Sequence, residues 1–213
     1  MNELIGIVLL SLFVSITSTF IASVISVVFA FILANTEIKI KFVIIKFVNI
    51  FVNTPPVLMG LLVYLLISRR GPLGSLSLLF TPAAMILAQT LLVIPIVTSL
   101  TYAYLREVGT EIKLNCYCLG ADDFEVFKIL IKESKMQILS IVTVGFGRAI
   151  SEVGAVMLVG GNIKGYTRVM TTYIALETGK GNFGNALIIG GVLLLLSFLI
   201  NLGLNAGAKK IGD

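Results

Sequence analysis

The chain has 213 residues, 57% of them hydrophobic and only 13% charged, with a net charge of +5 and no histidine. A soluble domain carries nearer a quarter charged residues, so a mean hydropathy of +1.05 leaves too little polar surface for a water-soluble globule of this size. The basic excess fits contact with anionic lipid headgroups and gives no sign of nucleic-acid binding.

Apolar runs set the class. Crossing a hydrocarbon core of about 30 Å takes about 20 apolar residues. No charge occurs between Glu3 and Glu37, Lys46 and Arg69, Arg70 and Arg106, or Lys180 and Lys209, and only Arg148 and Glu152 interrupt the stretch from Lys135 to Lys164. Five spans are therefore expected, at about 4–34, 47–68, 82–104, 136–161 and 183–207, in one all-α transmembrane domain covering 1–213. The first is long for one crossing, roughly 46 Å as a helix, so it must tilt, kink or run past the membrane. It is too long for the apolar region of a cleavable signal and lacks a basic lead-in, which makes it a retained span.

Orientation follows from Lys and Arg. Five spans put the termini on opposite sides. One side holds Lys39, Lys41, Lys46, Arg106, Lys113, Lys128, Lys132, Lys135, Lys209 and Lys210; the other holds Arg69, Arg70, Lys164, Arg168 and Lys180. The richer side is expected to be cytoplasmic, with the N-terminus outside and the C-terminus inside. Cys116 and Cys118 then lie in a reducing compartment and read as free thiols, with no third or fourth ligand beside them to make a metal site.

In chain order, the first span is rich in small hydroxyls (Ser11, Ser15, Thr17, Ser18, Thr19, Ser23, Ser26), which permit close helix approach and bonding across the interface. The second opens on Asn53-Thr54-Pro55-Pro56, and the double proline bends or unwinds it. Gly71-Pro72 marks a turn. Thr81-Pro82 reads as an N-cap followed by proline at the first helical position, and Pro95 predicts a kink in the third span.

Segment 105–135 is the long cytoplasmic stretch. Asp122 with Glu125 three residues on suggests a capping box, and Gly120 sits where a left-handed turn would join two short helices. Phe124, Phe127 and Ile131 predict an apolar stripe on the second helix. Two readings of that helix fit equally, docking on a partner or lying on the membrane surface.

In the fourth span, Arg148 and Glu152 are four apart, so they share a helix face and can pair. Ionisable groups this deep usually face a cavity or a partner. Either the pair is structural, or it belongs to a pathway or gate together with Gly154, Gly160 and Gly161. The outer segment 162–184 contains a possible short helix at 167–178, and its Arg168, Thr171 and Thr172 either face an incoming anion or docked partner or belong to a solvated loop. In the fifth span, Gly203 and Gly207 have the spacing of a close-packing motif. The chain contains no GxxxxGK[ST], HExxH or GxSxG pattern, and the bilayer blocks hold no nucleophile or metal set, so no enzyme, no catalytic residue, no bound cofactor and no metal are expected.

The run Leu119-Gly120-Ala121-Asp122-Asp123-Phe124-Glu125-Val126-Phe127 resembles the cytoplasmic coupling loop of bacterial ABC importer permeases. The family's glycine matches Gly120, and its docking helix matches about 122–131, with Phe124 and Phe127 as anchors. Leu114-Asn115-Cys116 stands where the family has its EAA triplet, and Glu133 where it often has proline. Pro55-Pro56-Val57, Gly60-Leu61-Leu62 and Arg69-Arg70-Gly71-Pro72-Leu73-Gly74 resemble the molybdate/tungstate permeases. Gly147-Arg148-Ala149-Ile150-Ser151-Glu152-Val153-Gly154-Ala155, Gly160-Gly161-Asn162-Ile163, Thr167-Arg168-Val169-Met170-Thr171-Thr172 and Ala175-Leu176-Glu177-Thr178 resemble the tungstate branch. The resemblance runs from about residue 5 to 208. It implies a homodimeric permease that imports tungstate across a prokaryotic cytoplasmic membrane, with molybdate as the near alternative. It also implies two cytoplasmic ATPase subunits that hold the ATP-Mg and an extracytoplasmic oxyanion-binding protein. A secondary transporter or channel is the rival reading; it would usually carry more spans and an internal repeat, which the sequence lacks.

Overall fold

The computed structural model describes residues 2–35 and 40–212, and every regular element among them is helical. These are α1 (Asn2–Asn35), α2 (Ile40–Val52), α3 (Pro56–Ile67), α4 (Pro82–Glu107), α5 (Gly109–Cys118), α6 (Asp123–Ile150), α7 (Gly154–Gly160), α8 (Met170–Gly179) and α9 (Phe183–Gly212), with one 3-10 turn at Gly74–Leu76. Three helices are long and apolar enough to cross a membrane, and five crossings result if α2–α3 and α6–α7, bent by 104° and 57°, each count as one. The five expected blocks are thus present, two of them broken.

Burial is inverted relative to a soluble protein. Small hydroxyl residues on α1 (Ser11, Ser15, Ser18, Thr19, Ser23, Ser26) are buried, while Leu9, Phe13 and Phe20 on the same helix are more than half exposed. In hydrocarbon, apolar side chains lose nothing by facing outward, so small residues go to the helix contacts. α1 lies along α4, and α6 packs against both. The main core gathers Val14, Met59, Val63, Met85, Ala155 and Val159 from α1, α3, α4 and α7.

Local sequence explains several joints. The Thr81 hydroxyl accepts from Ala84 N at 3.4 Å, with Pro82 at the first helical position, as expected. α4 continues through Pro95 unbroken. α5 ends in a Schellman turn: Gly120 N donates to the Tyr117 carbonyl at 3.0 Å, Ala121 N donates to the Cys116 carbonyl at 3.1 Å, and Gly120 has φ +83°. Only glycine takes that conformation without a Cβ penalty. The capping box follows: Glu125 N donates to Asp122 Oδ1 at 2.8 Å, and Asp122 N donates to Glu125 Oε2 at 3.1 Å. Cys116 and Cys118 are free thiols, the first buried and the second exposed.

Three expectations need correction. The second block does not start at 47; α2 starts at Ile40 and carries Lys41 and Lys46, because lysine stems can lie along an apolar surface with the ammonium in water. The double proline does bend it, sharply. The fourth block is not one helix to 161, since α6 stops at Ile150. The coupling helix is not a separate element at 122–131; it opens α6 and runs on without a break, there being no proline at Glu133 or elsewhere in α6 to stop it. At the start of α6 the face packed into the bundle is Val126, Leu130 and Ser134. Val126 and Leu130 close against Leu105 and Cys116, while Phe124 is 62% exposed.

Candidate functional site

α1 defines the two ends of the bundle. Near its N-terminus, Glu3 pairs with Lys164 at 3.0 Å and Arg168 at 3.4 Å, which sets the 162–182 segment at that end. At its other end, the Ala34 carbonyl accepts from Lys113 Nζ at 3.4 Å, which sets α5 and the start of α6 there. The residues expected to dock a partner and those expected in the outer segment therefore lie at opposite ends.

Between the ends, polar groups converge on the break between α6 and α7. Arg148 Nη1 lies 3.3 Å from Glu152 Oε2. The expected pair forms, but not on one helix face, because Glu152 sits in the irregular turn after Ile150. Its other oxygen, Oε1, accepts from Ala155 N at 3.0 Å, so the carboxylate caps α7 while it holds the guanidinium. Glu152 is 4% exposed, whereas the Arg148 side chain is 35% exposed. The arginine thus reaches open space from a buried anchor.

A residue not singled out from the sequence completes the cluster. Gln89 of α4 is buried. Its Nε2 donates to the Ala149 carbonyl at 2.9 Å, and its Oε1 accepts from the Ser18 hydroxyl at 2.9 Å. One amide thereby ties α1, α4 and the end of α6. The signal was available: Gln89 is the one side-chain amide in the 82–104 block, and an amide in hydrocarbon needs a partner.

The glycines act as close-approach points. A Cβ on Gly154 would lie 2.5 Å from Val57 Cγ2, and one on Gly160 would lie 2.9 Å from Met85 Sδ. Gly161 ends α7 at φ +71°, with the Phe80 ring where its Cβ would be. Phe80 N donates to the Val159 carbonyl at 2.8 Å, pinning the 69–81 turn to α7.

The outer residues are engaged within the chain. Arg168 Nε donates to Asn162 Oδ1 at 3.2 Å, the Thr171 hydroxyl donates to the Glu152 carbonyl at 2.8 Å, and Thr172 Oγ1 accepts from Val169 N at 3.1 Å. Thr171 thus joins α8 to the α6–α7 break, while Ser11 Oγ of α1 accepts from Met170 N at 2.8 Å. Beyond α8, Lys180 Nζ and Asn182 Nδ2 donate to Glu177 at 2.8 and 3.0 Å and hold its carboxyl below the usual carboxylate range. No group of three His, Cys, Asp or Glu comes together among the described residues. Chemically, the break offers one guanidinium, about one-third exposed, on a buried carboxylate, at the 57° bend between α6 and α7.

Comparison with known proteins places this geometry. Residues 26–211 match the family described as "Binding-protein-dependent transport system inner membrane component". The chain is 45% identical over 195 residues to the tungstate uptake system permease protein TupB of Peptoclostridium acidaminophilum, covering 92% of this chain and 86% of that one. It is 33% identical to a probable anion ABC transporter permease protein of Haloferax volcanii, covering 100% of this chain and 92% of that one. It is 28% identical to the sulfate transport system permease protein CysW of Synechococcus elongatus, over 78% of this chain and 62% of that one.

Proposed function

The chain belongs to the family of binding-protein-dependent transport system inner membrane components, and from that premise we propose that it is the membrane-spanning permease of an ATP-binding-cassette importer carrying tungstate across the cytoplasmic membrane. The observation that carries the reading is the likeness, over nearly the whole chain, to a tungstate uptake permease. Tungstate and sulfate are both tetrahedral dianions, so the cargo names printed for the relatives describe one shape and charge. The decisive experiment is elemental. The gene is deleted and cellular tungsten and molybdenum are measured by mass spectrometry, both anions being supplied at low nanomolar levels. Loss of tungsten, restored by the intact gene, is expected. Loss of molybdenum alone moves the cargo, and an unchanged content of both metals overturns the reading.

In this reading the permease works as two copies around one pathway. Two cytoplasmic ATPases hold the ATP-Mg, since this chain has no phosphate-cradling loop, and an extracytoplasmic binding protein delivers the anion. The N-terminus faces outward and the C-terminus the cytoplasm. Of the cations behind that orientation, Lys39 and the side chains of Lys209 and Lys210 lie outside the described residues. The α5–α6 corner, with Gly120, Ala121, Asp122, Phe124 and Phe127, is the docking point for the ATPase. Phe127 leans edge-on against Phe31 with ring centroids 4.5 Å apart, so it links the dock to α1. Phe124 stands free except for Lys128 Nζ, 4.2 Å above its ring. Phe124→Asp therefore leaves the fold within about 0.5 kcal/mol of wild type. At the dock, a lost aromatic anchor is worth about 2 kcal/mol or more, so co-purification of the ATPase and uptake fall together by at least about tenfold. Undiminished co-purification with normal uptake would remove Phe124 from the dock.

The α6–α7 break with Arg148, Glu152, Gly154, Gly160 and Gly161 is the candidate gate, placed so that movement of α6, whose first turns form the dock, reaches it through one continuous helix.

A further inference from the structure

At the α5 end of the bundle, cations gather around a cavity that no carboxylate lines among the described residues. Lys41 on the first turn of α2, Arg106 on the last turn of α4 and Lys113 in α5 line one cavity of about 240 Å3, together with Thr110, Tyr102 and Phe42. An adjoining cavity reached by Lys41 and Lys113 includes Asp123, whose Oδ1 accepts from the Tyr117 hydroxyl at 2.8 Å. Elsewhere Lys164, Arg168, Lys180 and Arg148 have ion pairs; Lys41, Arg106 and Lys113 have none among the described residues. Glu37, nearby in sequence, lies outside the described residues.

One simpler explanation is neutralisation of helix ends, because α1 and α4 both terminate here. Each C-terminus carries about −0.5 of a charge, so two ends account for about one cation of the three. The N-termini of α2 and α5, also here, carry the opposite sign. The four helix ends therefore roughly cancel and do not neutralise the three described cations that line the cavity. Lys113 bears the cost: burial and then the neighbouring Lys41 charge hold its pKa below the usual lysine value. Like charges held close together repel each other until an anion joins them.

We propose that this cavity binds a tetrahedral oxyanionic group, supplied as the phosphate of an anionic phospholipid headgroup or as a free oxyanion. The Arg106 fork and two ammonium groups match such a group in charge and donor number, and the Thr110 hydroxyl adds a donor. The exposed apolar side chains of α2, including Ile40, Phe42, Val43 and Phe47, give acyl chains a surface beside the cavity, which favours the lipid source. The site is independent of the transported cargo and of the α6–α7 break.

The test uses the purified full chain with whatever subunits co-purify. Native mass spectrometry measures retained phosphatidylglycerol against phosphatidylcholine for wild type, for Lys41→Gln/Lys113→Gln, and for Lys46→Gln/Lys132→Gln as a control outside the cavity. At least about a tenfold loss of phosphatidylglycerol affinity is expected in the first variant and none in the control. In parallel, amine labelling of Lys113 relative to Lys46 is followed on the unmutated chain in phosphatidylcholine nanodiscs, alone, with phosphatidylglycerol added, or with inorganic phosphate added. This readout does not depend on a variant folding. Protection of Lys113 by phosphatidylglycerol alone assigns the lipid source, and protection by phosphate at millimolar concentration assigns the free oxyanion. Equal labelling in all three conditions, or equal lipid retention by a folded Lys41→Gln/Lys113→Gln protein, overturns the site.

Discussion

Gly60→Val is expected to destabilise the membrane fold by about 3 kcal/mol, the upper part of the range for overpacking a tight contact. Gly60 is where α3 crosses α7. A Cβ there would stand 2.5 Å from Ala155 Cα and 3.0 Å from Ala155 Cβ. The nearest clash is with backbone, so no rotamer change relieves it; α3 must retreat from α7. That movement opens the core around Met59, Val63, Ala155 and Val159 and drags the α6–α7 break with it. The check is a thermal unfolding scan in detergent with a thiol-reactive dye. Cys116 is buried and reports unfolding, and the exposed Cys118 is first changed to serine. Gly6→Ala, whose Cβ meets nothing within 4 Å, is the control and should leave the midpoint unchanged or raise it. An equal midpoint for Gly60→Val and the parent would mean that α3 and α7 do not cross this closely.

That contact illustrates what the sequence could and could not convey. Composition and charge-free runs placed the spans, because bilayer thickness sets a length and charges set the ends. The cap at Thr81, the box at Asp122 and Glu125 and the left-handed turn at Gly120 were readable because each depends on a few adjacent residues. The double proline announced the bend between α2 and α3. The interruption at Ser151–Val153 was not readable. No proline causes it, and the carboxylate that caps α7 also bonds Arg148, a tertiary arrangement with no periodic trace. The spacing of Arg148 and Glu152 pointed to a pair for a reason that does not hold, a shared helix face. Gln89 was overlooked because attention went to charges, although an amide has donors and an acceptor to satisfy too. The Phe124, Phe127 and Ile131 stripe was readable from its spacing, but not which neighbouring face of α6 packs into the bundle. Val126 and Leu130 carry the burial, and Phe124 is left outside.

Glu152→Leu is expected to destabilise the fold by about 3 kcal/mol, the low end of the range for breaking a buried pair, because the arginine left behind is one-third exposed and can be hydrated. It strands the Arg148 guanidinium and leaves Ala155 N without its acceptor at 3.0 Å. Glu152→Gln keeps a carbonyl acceptor for Ala155 N and loses only the charge, so it should fall between wild type and the leucine variant. Arg148→Gln leaves the Glu152 carboxylate, 4% exposed, without its counter-charge and should also destabilise. The combination Arg148→Gln/Glu152→Gln removes both charges together, keeps the α7 cap and is expected to recover most of the stability of the single variants, with a coupling energy of about 0.5–3 kcal/mol as for groups in contact. Uptake measured on the same four proteins then separates two roles. As a purely structural clasp, the pair would let the double variant regain transport along with its melting midpoint. As a positive point on the anion path, one-third exposed beside the α6–α7 break, Arg148 would leave the double variant folded, assembled and still deficient in uptake. The second pattern is the expected one, because Arg148 carries its charge to open space beside the α6–α7 break.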